Sequence, residues 1–301
     1  MWGLGIVKMN KKGFAVMFSW VFSVLAGIII FLSLVYFAVQ HTDLFGKISE
    51  QVAVEELDIA FASLKSSLIG TTLELDKPIK LEFKCGGGTD FEEKLFVNGI
   101  AGKTLRGKII FAPEESNSYK FNIFTLDWNA PFKITNFIFL TDKHYNFIDL
   151  PEVLRNKIPD NIKSGTQNIG VNFEFAEDLG TINSCVYGDK KVYYKYDDKL
   201  EEYYGKICIG DTNPYPFVGT AFIFAAIFSD QNNFKCLYDL AVEKSKDIAK
   251  IYAKKLENIE CRNELTKEEV EGLDVKNLYN VGIIAERNDN LLRRGECESL
   301  Y

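Results

Sequence analysis

Histidine is nearly missing. His41 and His144 are the only two in 301 residues, which excludes a multi-histidine metal site. No Asn-x-Ser/Thr triplet occurs, so N-linked glycans have no acceptor. The G-x-S-x-G, Walker and H-E-x-x-H patterns are absent, which removes three common catalytic frames. Repeats of fixed period and low-complexity tracts are absent too. Basic charge is in deficit, with 35 Lys and Arg against 42 Asp and Glu and a net charge of −7. A nucleic-acid binder presents a basic face, so nucleic acid is excluded as the expected partner.

What is present is apolar. Hydrophobic residues make up 47% of the chain, enough for a large core. From Gly13 to Gln40 there is no charged residue, and Phe14 to Val39 is almost wholly apolar. A bilayer core needs about 20 apolar helical residues, and a secretory signal core has only about 7–15. The expectation is a transmembrane helix over residues 14–40 that meets membrane lipid through 14–39. Lys8, Lys11 and Lys12 precede the run, and Lys47 is the first positive charge after it. The positive-inside bias then places residues 1–13 in the cytoplasm and the C-terminal domain outside the membrane. Without those three lysines the rest of the chain carries −7 − 3 = −10. Cations, sugars or proteins suit such a surface better than anionic lipid.

The six cysteines, Cys85, Cys185, Cys208, Cys236, Cys261 and Cys297, all follow the apolar run. An even number placed this way reads as disulfides in an oxidising space. Zinc sites show short paired spacings, whereas the nearest pair here is 208 − 185 = 23 residues apart. Six cysteines leave the connectivity open. One pairing is excluded if residues 237–258 form a helix. Cys236 and Cys261 would then lie about 35 Å apart, beyond the reach of about 7 Å that a disulfide allows.

Periodicity divides the remainder. Val54, Leu57, Phe61, Leu64 and Leu68 recur at spacings of 3 and 4, which predicts an amphipathic helix within 41–70. Residues 71–230 read as a β-rich domain. Ile169, Val171, Phe173 and Phe175 alternate with polar residues as in a half-buried strand. Val192–Tyr196 reads as a hairpin partner of Thr181–Tyr187, and Phe132–Leu140 and Phe217–Phe228 as central strands covered on both faces. Pro151 begins a short helix that Pro159 closes. From Gln231 the pattern is helical, and Thr266-Lys-Glu-Glu269 is a capping box. The expected class is therefore α+β: transmembrane helix, amphipathic extension, β-rich extracytoplasmic head and a C-terminal helical hairpin over 231–301.

Catalytic, cofactor and metal residues cannot be assigned from the sequence, and no cofactor is expected. The loop Cys85-Gly-Gly-Gly-Thr-Asp90 could cradle an anion, but its glycines also suit a plain turn. Asn288-Asp289-Asn290 and Asp211-Thr212-Asn213 offer oxygens to Ca²⁺ but lack the spacing of an EF-hand, and they equally suit turns. His144 has no nameable orienting partner, and His41 sits at the end of the apolar run.

Asn10-Lys-Lys-Gly13 followed by Phe14 and a long apolar helix resembles the class III, prepilin-type signal of type IV pilin-like proteins. That resemblance implies processing between Gly13 and Phe14 and self-assembly through residues 14–69. Phe18 stands where major bacterial pilins carry glutamate. The stretches Asn129–Phe137, Ala226–Asp230 before Cys236 and Asn288–Leu292 before Cys297 resemble uncharacterised archaeal single-span envelope proteins, a likeness that implies no activity. The sequence thus leads to a membrane-anchored structural, adhesion or assembly role at the cell envelope with protein partners. Its alternatives are a pilin-like filament subunit and a carboxylate-dependent envelope hydrolase.

Overall fold

The chain divides into two units, Met1–Ala53 and Val54–Tyr301. The computed structural model describes residues 23–37, 54, 55, 57, 59–61, 70–85, 93–105, 107–147, 150–163, 165, 167, 168, 170–258, 265–293 and 300. In the first unit these residues form one helix, α1, over residues 23–37.

The described residues correct the expected membrane span. Among the described residues no helix is long and apolar enough to cross a membrane. The transmembrane helix over 14–40 is therefore corrected. So are the lipid contact through 14–39 and the single-pass placement, with its cytoplasmic N-terminus and extracytoplasmic C-terminal domain. An apolar run in the sequence reports composition, whereas a span takes about 20 apolar residues in one helix, and the described residues hold no such helix. Gly13 and Phe14 lie outside the described residues.

The second unit is α+β. Strands β1 (Thr71–Cys85), β2 (Glu93–Val97), β3 (Ile100–Thr104), β4 (Ile109–Phe111), β5 (Glu115–Asn129) and β6 (Lys133–Thr141) form one curled sheet. Its order is β3-β2-β1-β5-β6-β4, antiparallel except for the β4–β6 pair. A register shift between Glu74 and Ile79 bends the long β1 strand. Strand β6 lies inside the sheet as expected, with Phe137 to Thr141 buried on both faces. After β7 (Tyr145–Asn146) come α2 (Glu152–Arg155), with Pro151 as its N-cap, and α3 (Asp160–Lys163). Strand β8 (Gln167–Asn168) pairs with β7.

A second sheet contains β9 (Asn172–Phe175), β10 (Lys190–Asp197), β11 (Glu202–Ile209) and β12 (Tyr215–Val218), in the order β12-β11-β10-β9. Here the expected hairpin is corrected. Strand β10 pairs antiparallel with β11 and parallel with β9, while Leu179–Thr181 is a 3-10 turn and residues 182–187 are irregular. Lysines on the sheet fasten that connection. Lys195 Nζ donates to the Glu177 carbonyl, and Lys206 Nζ donates to the Ile182 carbonyl at 2.7 Å.

Between the sheets lies α4 (Thr220–Phe228), all nine residues of which are buried. It packs on β5 and β6 of the first sheet and on β10 and β11 of the second. Phe222 meets Trp128 and Phe137 at 5.0 Å between ring centroids, and Phe228 meets Phe124 at 5.2 Å. The expected central strand over 217–228 is thus corrected to the end of β12 followed by a helix. A segment that is apolar on every side has no periodicity to separate helix from strand. Gly219, at φ +112°, makes the turn between the two.

The C-terminal part is helical as expected, with α5 (Gln231–Glu257), α6 (Lys267–Glu271) and α7 (Leu278–Arg293). The capping box forms as read, with the Thr266 hydroxyl accepting from the Glu269 amide and the Glu269 carboxylate accepting from the Thr266 amide. Residues 54, 55, 57 and 59–61 include helical turns, and Leu57 and Phe61 are fully buried, so the start of the apolar stripe faces a core. Leu64 and Leu68 lie outside the described residues.

Candidate functional site

The described residues contain two disulfides. Cys85 bonds Cys236, with Cα atoms 6.0 Å apart, and Cys185 bonds Cys208, at 5.5 Å. The first bond ties β1 to α5, so the excluded Cys236–Cys261 pairing is absent. Cys261 and Cys297 lie outside the described residues, as does His41.

One residue of each small oxygen cluster, Asp211 and Asn288, is engaged within the fold. Asp211 accepts the Tyr215 hydroxyl at 2.5 Å and pairs with Lys235 at 3.3 Å. The Tyr215 hydrogen bond holds its carboxyl below the usual range, helped by Lys235. Asn288 is buried, and its Oδ1 accepts the Leu300 amide at 2.7 Å. His144 is exposed, with Nδ1 2.7 Å from the Asn161 carbonyl. Among the described residues no three His, Cys, Asp or Glu side chains converge on a metal position. In the loop after Cys85, residues 86–90 lie outside the described residues.

A cleft among the described residues was not anticipated. It opens between the β10–β11 turn and α7, with a volume of about 710 Å³, within the size range of ligand sites. Leu200, Leu278, Ile283 and Ala285 give it an apolar lining, and Tyr279, 77% exposed, stands at its edge. Gly282 also faces it, with nothing within 4 Å of where a Cβ would sit. Asp197, Glu286 and Asp289 make its rim acidic, against the single Lys199. A smaller pocket of about 200 Å³ shares Leu200 and adds Glu201, Glu202, Pro131 and Val281.

Two of these carboxylates hold the frame. Asp197 Oδ1 accepts the amides of Lys199 and Leu200 at 3.0 and 2.9 Å, which shapes the turn. Glu202 Oε2 accepts the Thr220 amide at 2.7 Å, at the start of α4. Only the α7 wall of the cleft carried a signal in the sequence. Val281, Ile284 and Asn288 form its buried stripe, with Leu278 half-buried against the core, whereas Tyr279 and Ile283 are apolar residues off that stripe. Gly282 reads as an interruption in the sequence and is an opening in the structure.

A second surface belongs to the other unit. Along α1, Leu25, Ile28, Ile29, Phe31, Leu32 and Leu34 are all exposed, Ile29 to 62% and Phe31 to 65%. No family, curated protein or solved structure matches the chain.

Proposed function

We propose that the chain is a structural assembly protein whose copies join through α1. What supports the reading is the exposure of apolar side chains around that helix. Exposed apolar surface of this kind marks an interaction site. Burying each such side chain contributes about 1.5–3 kcal/mol relative to leaving it in water. Copies of the same helix offer each other a matching surface. The two disulfides suit an assembly exposed to an oxidising space.

Sedimentation velocity of the full chain in aqueous buffer tests this. The expected result is a species heavier than the 34.2 kDa monomer that returns to monomer on the double substitution Ile29→Lys and Leu32→Lys. A wild-type chain that sediments as a monomer at all concentrations, or an oligomer that ignores the substitutions, would overturn the proposal.

A further inference from the structure

We propose that the cleft between the β10–β11 turn and α7 docks an amphipathic helix rich in lysine or arginine from another protein. This surface lies wholly within the second unit and is independent of assembly through α1. Three observations converge on that occupant. The first is shape. The lining runs along α7 from Leu278 to Asn290, which is about 18 Å of helix axis, or about three turns of a partner. Gly282 and Ala285 are small residues on that wall, and the space above Gly282 is empty. Small side chains let a second helix approach closely, because the distance between packed helices follows the residues at the contact.

The second observation is surface chemistry. Leu200, Leu278 and Ile283 offer apolar contact, and Tyr279 at 77% exposure is a large anchor held on a helix. Tyrosine is enriched among residues that dominate binding energy. A groove that receives the apolar face of a helix has this composition.

The third is charge. Asp197, Glu286 and Asp289 line the cleft, and Glu201 and Glu202 line the pocket that joins it at Leu200. Lys199 is the one basic residue among the lining residues of both. Arg287, next to the rim, is bound to Glu269 instead. An apolar floor between acidic walls complements a helix with an apolar ridge flanked by positive charges.

The test uses the full chain and two synthetic helices of about 14 residues, long enough to span the cleft. One alternates leucine with lysine on an amphipathic pattern, and the other replaces every lysine with glutamate. Binding is followed by fluorescence anisotropy of the labelled peptide at low and at physiological salt. The expected result is that the lysine helix binds, more weakly as salt rises, and the glutamate helix does not. Gly282→Leu fills the cleft and abolishes binding. Tyr279→Ala, at a site too exposed to support the fold, weakens it should Gly282→Leu fail to fold. The pair Glu286→Lys and Asp289→Lys weakens it by about fivefold or more, the scale of several partly exposed charge pairs. The remote pair Glu243→Lys and Asp247→Lys on α5 leaves it unchanged. Absence of binding would overturn the proposal. So would equal binding of both helices, binding that survives both cleft substitutions, or equal loss from the remote pair.

Discussion

Lys190 and Glu202 grip opposite ends of the same buried helix. Glu202 accepts the Thr220 amide and hydroxyl at 2.7 and 2.5 Å at the start of α4. Lys190 Nζ donates to the carbonyls of Ser229 and Ile227 at 2.9 and 3.3 Å at its end. The signs match the helix dipole, anion at the N-terminus and cation at the C-terminus. A helix buried on every side cannot turn its end groups to water. The adjacent β10–β11 pair supplies their partners instead. Burial pushes the Lys190 ammonium down to about 8, and Asp230 opposes that shift.

Removing either grip should loosen α4. Glu202→Ala is expected to cost about 1–2 kcal/mol, as for loss of a helix cap. Glu202→Gln keeps an acceptor and should cost less. Lys190→Met strands two carbonyls and is expected to cost about 1–3 kcal/mol. Urea unfolding midpoints of the three variants measure the order.

Gly219→Ala should cost more than an ordinary surface change. At φ +112° an L-residue is strained, and the new Cβ would stand 2.6 Å from Trp128 Cδ1. Trp128 cannot easily retreat, because its Nε1 donates to the Val218 carbonyl at 2.8 Å. A loss of about 2 kcal/mol or more is expected from the combined strain and clash. Near-ultraviolet circular dichroism of the variant should show the tryptophan disturbed.

The disulfides should differ in weight. Cys85–Cys236 closes 151 residues and Cys185–Cys208 closes 23. Chain entropy alone gives about 5 and about 3 kcal/mol, respectively. Cys85→Ala with Cys236→Ala should therefore lower the thermal midpoint further than Cys185→Ala with Cys208→Ala. Calorimetry under oxidising conditions compares them.

Stability should fall as pH rises above about 4.5, the unfolded value of Glu93. This carboxyl lies opposite Cys85, is 2% exposed and accepts one backbone bond, from Ile110 at 3.2 Å. Burial pushes it well above the usual carboxylate range, and the Ile110 bond only partly opposes that. Above the unfolded value the unfolded chain has lost this proton while the folded one keeps it. Folding then takes up a proton, and stability declines by at most about 1.4 kcal/mol per pH unit until the folded carboxyl ionises. Glu93→Gln should remove that component of the pH slope. Denaturation midpoints between about pH 5 and about pH 7 check it.

Much of the second unit was legible because its signals are local. The capping box at Thr266 and Glu269, the long helix after Gln231 and the strand over Phe132–Leu140 each carry their own pattern. Helix α4 was not legible, since Ala221 to Phe228 is apolar on every side and only the two sheets around it decide its form. The partner of β10 was hidden too, because the parallel pairing with β9 depends on the fastened connection between them. The cleft arises from juxtaposing a turn at 197–202 with a helix some 80 residues later, which no window of sequence contains. The apolar run after Gly13 was plain in the sequence, but composition did not show that no helix among the described residues is long and apolar enough to cross a membrane.

Assembly through α1 is tested most directly by distance measurement between copies. A single spin label placed at position 32 of the full chain by a non-cysteine chemistry leaves the disulfides intact. Helices in direct contact lie about 8–10 Å apart axis to axis. Double electron–electron resonance should therefore give a defined label-to-label distance on the order of 20 Å or less, lost on dilution with unlabelled chain. Absence of any inter-copy distance at concentrations where the chain remains folded would contradict assembly through this helix.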